Sequence, residues 1–130
     1  MKNLFLPYYL TIILHRAGFN EPCLMLITND DKIDSLNHEE NYNYNTYAKA
    51  ILYQQAFEWL RSNYWIDIVI SPRKGEAGRN RAYCISLFKD YSDGKGIVER
   101  KIRLEDKSEV RYINPINAYN KAIEESLKII

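Results

Sequence analysis

A basic segment, residues 73–81, contains the side chains best suited to chemistry in this 130-residue chain. It combines two glycines with four cationic residues, Arg73, Lys74, Arg79 and Arg81. Lys and Arg supply the salt-dependent affinity of proteins for phosphate groups, and backbone N–H groups near glycine can cradle an anion. The segment therefore suggests a phosphate or nucleic-acid contact. The simpler interpretation, which we favour, is a solvated hairpin loop whose charges serve solubility.

Two aromatic residues could complete such a site by stacking on a base. Trp65 and Tyr83 lie in apolar stretches on either side of the basic segment, and aromatic rings beside cations can stack on nucleobases. The interpretation that we favour is that Trp59 and Trp65 are both core or half-buried anchors, because aromatic residues in apolar stripes usually pack. The candidate binding residues are Trp65, Arg73, Lys74, Arg79, Arg81 and Tyr83.

No pattern in the sequence predicts catalysis or metal binding. His15 adjoins an apolar run, and we expect it to be structural or to lie at the surface. His38 is followed by two glutamates, which do not form the HExxH motif of zinc proteases. A nucleophile elbow and a CxxC pair are absent from the sequence. We therefore expect a protein that is not an enzyme and that uses no cofactor and no metal.

A polar stretch at residues 29–45 contains five acidic residues and no hydrophobic periodicity. Acidic clusters can bind calcium, but the EF-hand pattern needs a glycine at its sharp turn and a glutamate at its twelfth position, and neither fits here. A long loop inside a compact domain is usually functional or mobile. We expect a solvated, mobile acidic loop.

Size and composition favour a single domain, residues 1–130, with a core that needs no disulfide or metal. The net charge is +1, so the whole protein is not basic enough to predict nucleic-acid binding. The charge is uneven: residues 1–45 carry 3 basic and 6 acidic side chains, a net of −3, and residues 46–130 carry 15 basic and 11 acidic, a net of +4. The 11 tyrosines suit a contact surface, because tyrosine offers area and a hydroxyl group at low entropic cost.

The two cysteines, Cys23 and Cys84, are too few for a disulfide framework. We expect reduced, buried thiols and a cytoplasmic protein. The apolar run at residues 4–14 has no small-residue cleavage site and is too short to span a bilayer. No association with a membrane is expected.

The central helix is predicted between residues 45 and 64, where apolar side chains recur with a period near 3.6 and good helix formers fill the other face. Its start is open: Asn45 or Thr46 could cap it, or it begins nearer Ile51. The other elements are expected to pack on this helix and on the strand that follows it.

That strand is predicted at residues 66–71, where β-branched residues alternate, and Pro72 should end it because proline cannot donate to a ladder. Residues 4–16 are rich in strand formers, yet Gly18 suits a helix stop, and we choose helix. Strands are further predicted at residues 23–28, 82–91, 97–104 and 109–113, and a last helix opens at Asn114 and Pro115. The predicted fold is α+β, with three helices packed on an antiparallel three- to five-stranded meander sheet.

Two sequence stretches carry a resemblance. These are GFNEPC at residues 18–23, after the first helix, and YQQAFEWLR at residues 53–61, and an amphipathic C-terminal helix accompanies them. Together they resemble a group of small uncharacterised proteins of Bacteroidota genomes, phages and prophages, over most of the chain. The chain departs from the group at residues 50–52, where such proteins often have a Pro-Thr helix start. The resemblance implies an accessory protein of a mobile element; the group has no assigned activity, so no site residue is transferred.

The sequence favours a non-catalytic binding module that contacts or sequesters another protein. The partner would be a host or phage protein, or a second copy in a homo-oligomer that uses tyrosine-rich surface. The alternative function is nucleic-acid or nucleotide binding through the basic segment 73–81. Salt dependence distinguishes the two, because affinity for nucleic acid falls steeply as salt rises.

Overall fold

The structure, a computed structural model, describes residues 4–43, 45–74, 81–91, 96–105 and 115–130. Its helices and antiparallel strands confirm the predicted α+β class. The chain divides into two compact units, Met1–Ala56 and Phe57–Ile130. Each unit has a sheet of its own.

Within the described residues, three α-helices, one 3₁₀ helix and six strands follow one another. None of these helices is long and apolar enough to cross a membrane. In chain order the elements are α1 (Tyr8–Arg16), β1 (Met25–Thr28), β2 (Ile33–Ser35), the 3₁₀ helix (Leu36–Asn41), β3 (Tyr47–Lys49), α2 (Tyr53–Tyr64), β4 (Ile66–Lys74), β5 (Arg81–Tyr91), β6 (Gly96–Glu105) and α3 (Pro115–Leu127).

The first unit is built on the antiparallel sheet β2-β1-β3, in which Leu26 pairs with Asp34 on one side and with Lys49 on the other. Helix α1 follows Pro7 and buries Leu10 and Leu14 completely. The four-residue spacing of these leucines puts them on one helix face. Burial of this apolar face is the main force that holds the helix in place.

The end of α1 follows the predicted stop signal, and the choice of helix over strand is confirmed. Gly18 has a φ of 111°, a backbone conformation that glycine adopts without steric cost. The amide of Phe19 donates to the carbonyl oxygen of Leu14 at 3.1 Å, and the Phe19 ring is buried. His15, in the last turn, lies with its Nδ1 3.2 Å from the Phe19 carbonyl oxygen and its Nε2 2.8 Å from that of Lys49. His15 is therefore structural, as one of the two expectations had it.

The second unit is the antiparallel meander β4-β5-β6 with α3 on one face. Alternate strand residues point to this face, which follows from the period of two in a strand. Its core contains Tyr83, Ile85, Leu87, Ala118 and Ala122, with Ile68, Ile70, Ile102 and Ile129 packed around them.

The prediction of one meander sheet is wrong in its details, because the strands form two antiparallel three-stranded sheets. β1 pairs with β2 and β3, and it does not join the β4-β5-β6 meander. β3 was not predicted from the sequence, because its three residues are too few to show a period of two. The strand predicted at residues 109–113 and the helix cap at Asn114 lie outside the described residues.

The start of α2 lies two residues after Ile51, the later of the two starts left open, and the end of β4 differs from the prediction. Helix α2 starts at Tyr53, since residues 47–49 pair with β1 and the side-chain Oε1 of Gln55 accepts from the amide of Leu52 at 3.1 Å. That contact is the return half of a capping box. β4 does not end at Pro72 but continues to Lys74. β4 is last in the described strand order β4-β5-β6, a position in which a missing N–H is tolerated.

The acidic stretch 29–45 is not an irregular loop throughout, because it contains β2 and the 3₁₀ helix. Ser35 caps that helix: its side chain accepts a hydrogen bond from the amide of Asn37 at 3.2 Å. The local hydrogen bonds of this stretch come from short polar side chains, which leave no hydrophobic periodicity in the sequence. The mobility of this stretch and the single-domain organisation stay predictions.

Candidate functional site

The structure separates the predicted binding residues instead of gathering them. Trp65 immediately precedes β4, whereas Arg73 and Lys74 end it. β4 is nine residues long, and at about 3.3 Å per residue this places Trp65 roughly 30 Å from the basic end. The proposed cooperation between an aromatic ring and the basic segment therefore does not occur through Trp65.

The basic positions do come together at the far end of the β4–β5 hairpin. Lys74 pairs directly with Arg81, and Arg73 pairs with Ala82, which confirms the predicted hairpin. Arg79 lies outside the described residues. Three of the four basic positions therefore share one end of the second sheet.

Tyr83 is placed in the core of the second unit, where only 5% of it is exposed. It pairs with Pro72 and lies on the sheet face that α3 covers. A ring so placed has no free face on which a base could stack. Tyr83 is therefore a packing residue and does not enter the candidate site.

Trp65 differs from the other tryptophan in burial and in backbone conformation. Trp59 is 6% exposed, whereas Trp65 is 50% exposed, so Trp59 is a core residue and Trp65 is half-buried, within the expectation of core or half-buried rings. Trp65 has a φ of 55°, and its amide donates to the carbonyl oxygen of Arg61 at 3.0 Å. The left-handed conformation costs a non-glycine residue about 1–2 kcal/mol, which burial of half of the ring is large enough to offset.

The second sheet has a face opposite α3, which we call the open face. The strand residues that point away from the α3 core form it, row by row across the sheet. Trp65 adjoins the first row, because its carbonyl oxygen accepts from the amide of Asp90 at 3.1 Å. From the Trp65 end, the rows are Asp90 and Ile97; Asp67, Phe88 and Glu99; Val69, Ser86 and Lys101; and Ser71, Cys84 and Arg103.

Large apolar side chains are exposed on the open face. Val69 is 48% exposed and Ile97 is 67% exposed. Ile97 lies in the first row, two strands from Trp65, and Val69 lies on β4 two rows from Trp65. Phe88 on the middle strand is half-buried. Exposed apolar side chains that share one sheet face make this face a candidate contact surface.

The charges of the open face are segregated along the strands. Asp67, Asp90 and Glu99 lie in the half nearest Trp65, whereas Lys101 and Arg103 lie in the other half. The two halves meet where Lys101 Nζ lies 3.8 Å from Glu99 Oε1. Along the strand direction, the open face therefore has an acidic end near Trp65 and a basic end opposite it.

Sequence reasoning missed Val69, Ile97 and Phe88 as surface residues. The signal was present in β6, where Ile97 shares the period-two parity of the charged residues Glu99 and Lys101. An apolar residue on the charged side of an amphipathic strand is exposed. Trp65 was included among the candidate residues only because an aromatic ring can stack on a base.

A second polar cluster, in the first unit, surrounds Asp34. Its carboxylate accepts from the hydroxyl of Tyr42, from His38 Nδ1 at 2.8 Å and from the amide of Ser35 at 2.7 Å. The Tyr42 hydroxyl and then the His38 ring lower the pKa of Asp34 to about 2. These bonds tie β2 to the 3₁₀ helix and to Tyr42, so we assign the cluster a structural role. The four-residue spacing of Asp34 and His38 was the available sequence signal.

The cysteines do not form a reactive site. Cys23 and Cys84 are free and half-buried, not fully buried as expected. Burial raises the pKa of the Cys23 thiol, which disfavours the reactive thiolate. In the described ranges, no group of three or more His, Cys, Asp or Glu residues is arranged to hold a metal ion.

Comparison with known proteins adds no relative. No protein-family model matches the chain, and no curated protein and no solved structure matches it significantly. The function therefore has to be inferred from the geometry of the open face and of Trp65.

Proposed function

We propose that this protein is a non-catalytic binding module, and that it contacts a partner protein through the open face of the β4-β5-β6 sheet. The observation that carries the proposal is Trp65, which is half exposed and held in a left-handed conformation. Residues in sparsely populated backbone conformations concentrate at functional sites. Glycine or asparagine would occupy this position at lower conformational cost, so the ring is the reason for a tryptophan here.

The expected gain from covering Trp65 is large enough to anchor a complex. A tryptophan side chain offers about 200 Å² of surface, and burial of the exposed half at about 25 cal/mol per Å² contributes roughly 2 kcal/mol. Tryptophan is also among the residues most enriched at interface hot spots. Val69 and Ile97 extend the same apolar surface.

The character of the open face favours a protein partner over a small ligand. Its exposed apolar residues alternate with charges of both signs, so the face offers both apolar and charged contacts to a partner protein. A sheet face is broad and gently twisted, whereas small-molecule sites are concave clefts. The sequence resemblance leads us to propose that the chain is a cytoplasmic accessory protein of a mobile element. Its partner would be a host or phage protein, or a second copy of the chain.

The test is affinity capture with three forms of the protein, namely wild type, Trp65→Gly and Leu24→Ala. Leu24 is an exposed apolar residue of the first unit and serves as the matched control. A specific partner should bind wild type and Leu24→Ala equally and should be lost from Trp65→Gly. Titration calorimetry with the purified partner should show about tenfold to hundredfold weaker binding for Trp65→Gly. An unchanged dissociation constant would contradict the proposal.

A second candidate function is nucleic-acid binding at the opposite end of the sheet. The supporting observation is that Lys74 pairs with Arg81 and that Lys101 and Arg103 occupy the same half of the sheet. Substitution of Arg73, Lys74, Arg79 and Arg81 by glutamine should then abolish binding to a labelled oligonucleotide. The affinity of wild type should also fall steeply between low and moderate salt. Binding that survives the substitutions would exclude this site.

A further inference from the structure

We infer that the open face binds a second copy of this chain, related by a two-fold axis that runs between the two sheets and across their strands. The inference rests on the proposed function, since it names the occupant of the same surface. Symmetric homodimers are the commonest oligomers, and their interfaces are self-complementary. The open face meets that requirement in charge and in side-chain size.

Charge complementarity selects the direction of the axis. A two-fold axis across the strands reverses strand direction, so the acidic half of one copy meets the basic half of the other. With the axis level with Arg100, Glu99 of one copy lies opposite Lys101 of the other, and this contact occurs twice. An axis along the strands would instead set acidic rows against acidic rows, and like charges at an interface are costly.

Side-chain size on β4 and β5 is compatible with the same axis. Phe88 lies opposite Ser86 and the position of Trp65 lies opposite Ser71, so two large residues face small ones. The other exchanging positions set Ile97 opposite Arg103 and Asp67 opposite Val69. Two sheets that pack face to face lie about 10 Å apart with a rotation near 30°, which side chains of these sizes can fill.

The area of the face sets the expected affinity. Three strands about 4.8 Å apart and four rows about 6.6 Å apart give a face of roughly 15 Å by 25 Å. The two faces together then cover roughly 750 Å², which is below the roughly 1,200 Å² of standard interfaces and in the range of weak, transient contacts, so we expect a reversible dimer with a dissociation constant on the order of 10–100 µM. The dimer should dissociate on dilution.

The test is sedimentation equilibrium of wild type, Glu99→Lys, Lys101→Glu and the double variant. Both side chains are exposed, so each variant should keep the wild-type fold, with circular dichroism as the check. Each single variant sets like charges opposite each other and should weaken dimerisation by about tenfold or more. The double variant restores opposite charges and should dimerise like wild type. An equimolar mixture of the two single variants should form heterodimers for the same reason.

Three outcomes would overturn the inference. Wild type could remain a monomer up to about 1 mM, well above the expected dissociation constant. The double variant could be as weak as the single variants, or the single variants could dimerise like wild type. Loss of a different partner protein from Trp65→Gly, with a monomeric wild type, would reject the second copy and leave the proposed function standing. Recovery in the mixture of single variants supports the two-fold arrangement.

Discussion

The backbone amide of Asp90 donates to the carbonyl oxygen of Trp65 at 3.1 Å, so the residue that follows α2 is fixed to the end of β5. The amide of Trp65 is used as well, by the carbonyl oxygen of Arg61. Both backbone groups of Trp65 are thus bonded while its ring is half exposed. The backbone of Trp65 therefore stabilises the junction between α2 and β4, and its half-exposed side chain is available for contact with a partner.

Trp65→Gly and Trp65→Ala should separate these two roles. Both variants lack the ring, so both should lose partner binding to the same extent. Glycine accepts a φ of 55° without steric cost, whereas alanine does not. We therefore expect Trp65→Gly to be more stable than Trp65→Ala by about 1 kcal/mol in urea unfolding. Equal stability of the two variants would mean that the backbone relaxes to another conformation.

Ile85→Ala and Ile97→Ala test the assignment of the two faces of the second sheet. Ile85 is fully buried against α3, and Ile97 is on the open face. The first substitution should cost about 3 kcal/mol of unfolding free energy through lost burial and a cavity. The second should change stability by less than about 0.5 kcal/mol but weaken partner binding. A large loss of unfolding free energy in Ile97→Ala would show that another part of the chain packs on the open face.

Long periodic elements were predictable from the sequence, because their side-chain periods report the direction of the core. β5 and β6 lie within a residue of the predicted positions, α1 ends at the predicted Arg16 but starts four residues later than predicted, and α3 begins at the predicted Pro115. The three-residue strands β2 and β3 were not predictable, since they depend on pairing with β1. That pairing also displaced the start of α2, where tertiary structure outweighed local helix propensity.

The candidate site was predictable only in part. Trp65 was named, but its exposure follows from a left-handed backbone that no periodicity encodes. Tyr83 was placed with the site by residue type, although its parity in β5 puts it in the core. The separation of Trp65 from Arg73 and Lys74 follows from the length of β4, which the sequence underestimated at Pro72.

Tyr42→Phe should raise the pKa of Asp34. The Tyr42 hydroxyl is the main cause of the lowered pKa, and the His38 ring is the next. Removal of the hydroxyl leaves the other donors in place, so the pKa should rise from about 2 toward the ordinary value of 3.8. Carbon-13 NMR of the Asp34 carboxyl group against pH measures the midpoint. The matched control is Tyr47→Phe, whose hydroxyl bonds to Glu39 and should leave the midpoint of Asp34 unchanged.

Glu125 should make stability depend on pH. Its buried carboxylate accepts from Lys128 at 3.0 Å and Arg100 at 2.8 Å, and Lys121 Nζ lies 3.1 Å away. Chiefly the hydrogen bond from Lys128, with a contribution from Lys121, lowers the pKa of Glu125 below its usual 4.5. Because the folded state holds the proton less tightly than the unfolded state, this stabilisation is complete above the unfolded pKa. It is lost as pH falls through the folded pKa.

Glu125→Gln is the matched variant for this effect. It should cost about 1–3 kcal/mol at pH 7, the range for a charge-assisted hydrogen bond. We expect no larger loss of unfolding free energy, because the three cations near residue 125 are partly exposed and can be solvated by water. Urea unfolding between pH 7 and pH 3 should show the difference from wild type shrinking below about pH 4.5. Glu58→Gln is the control, because its ion pair with Arg61 is exposed and should change stability little. A difference that stays constant with pH would show that Glu125 is not the group that titrates.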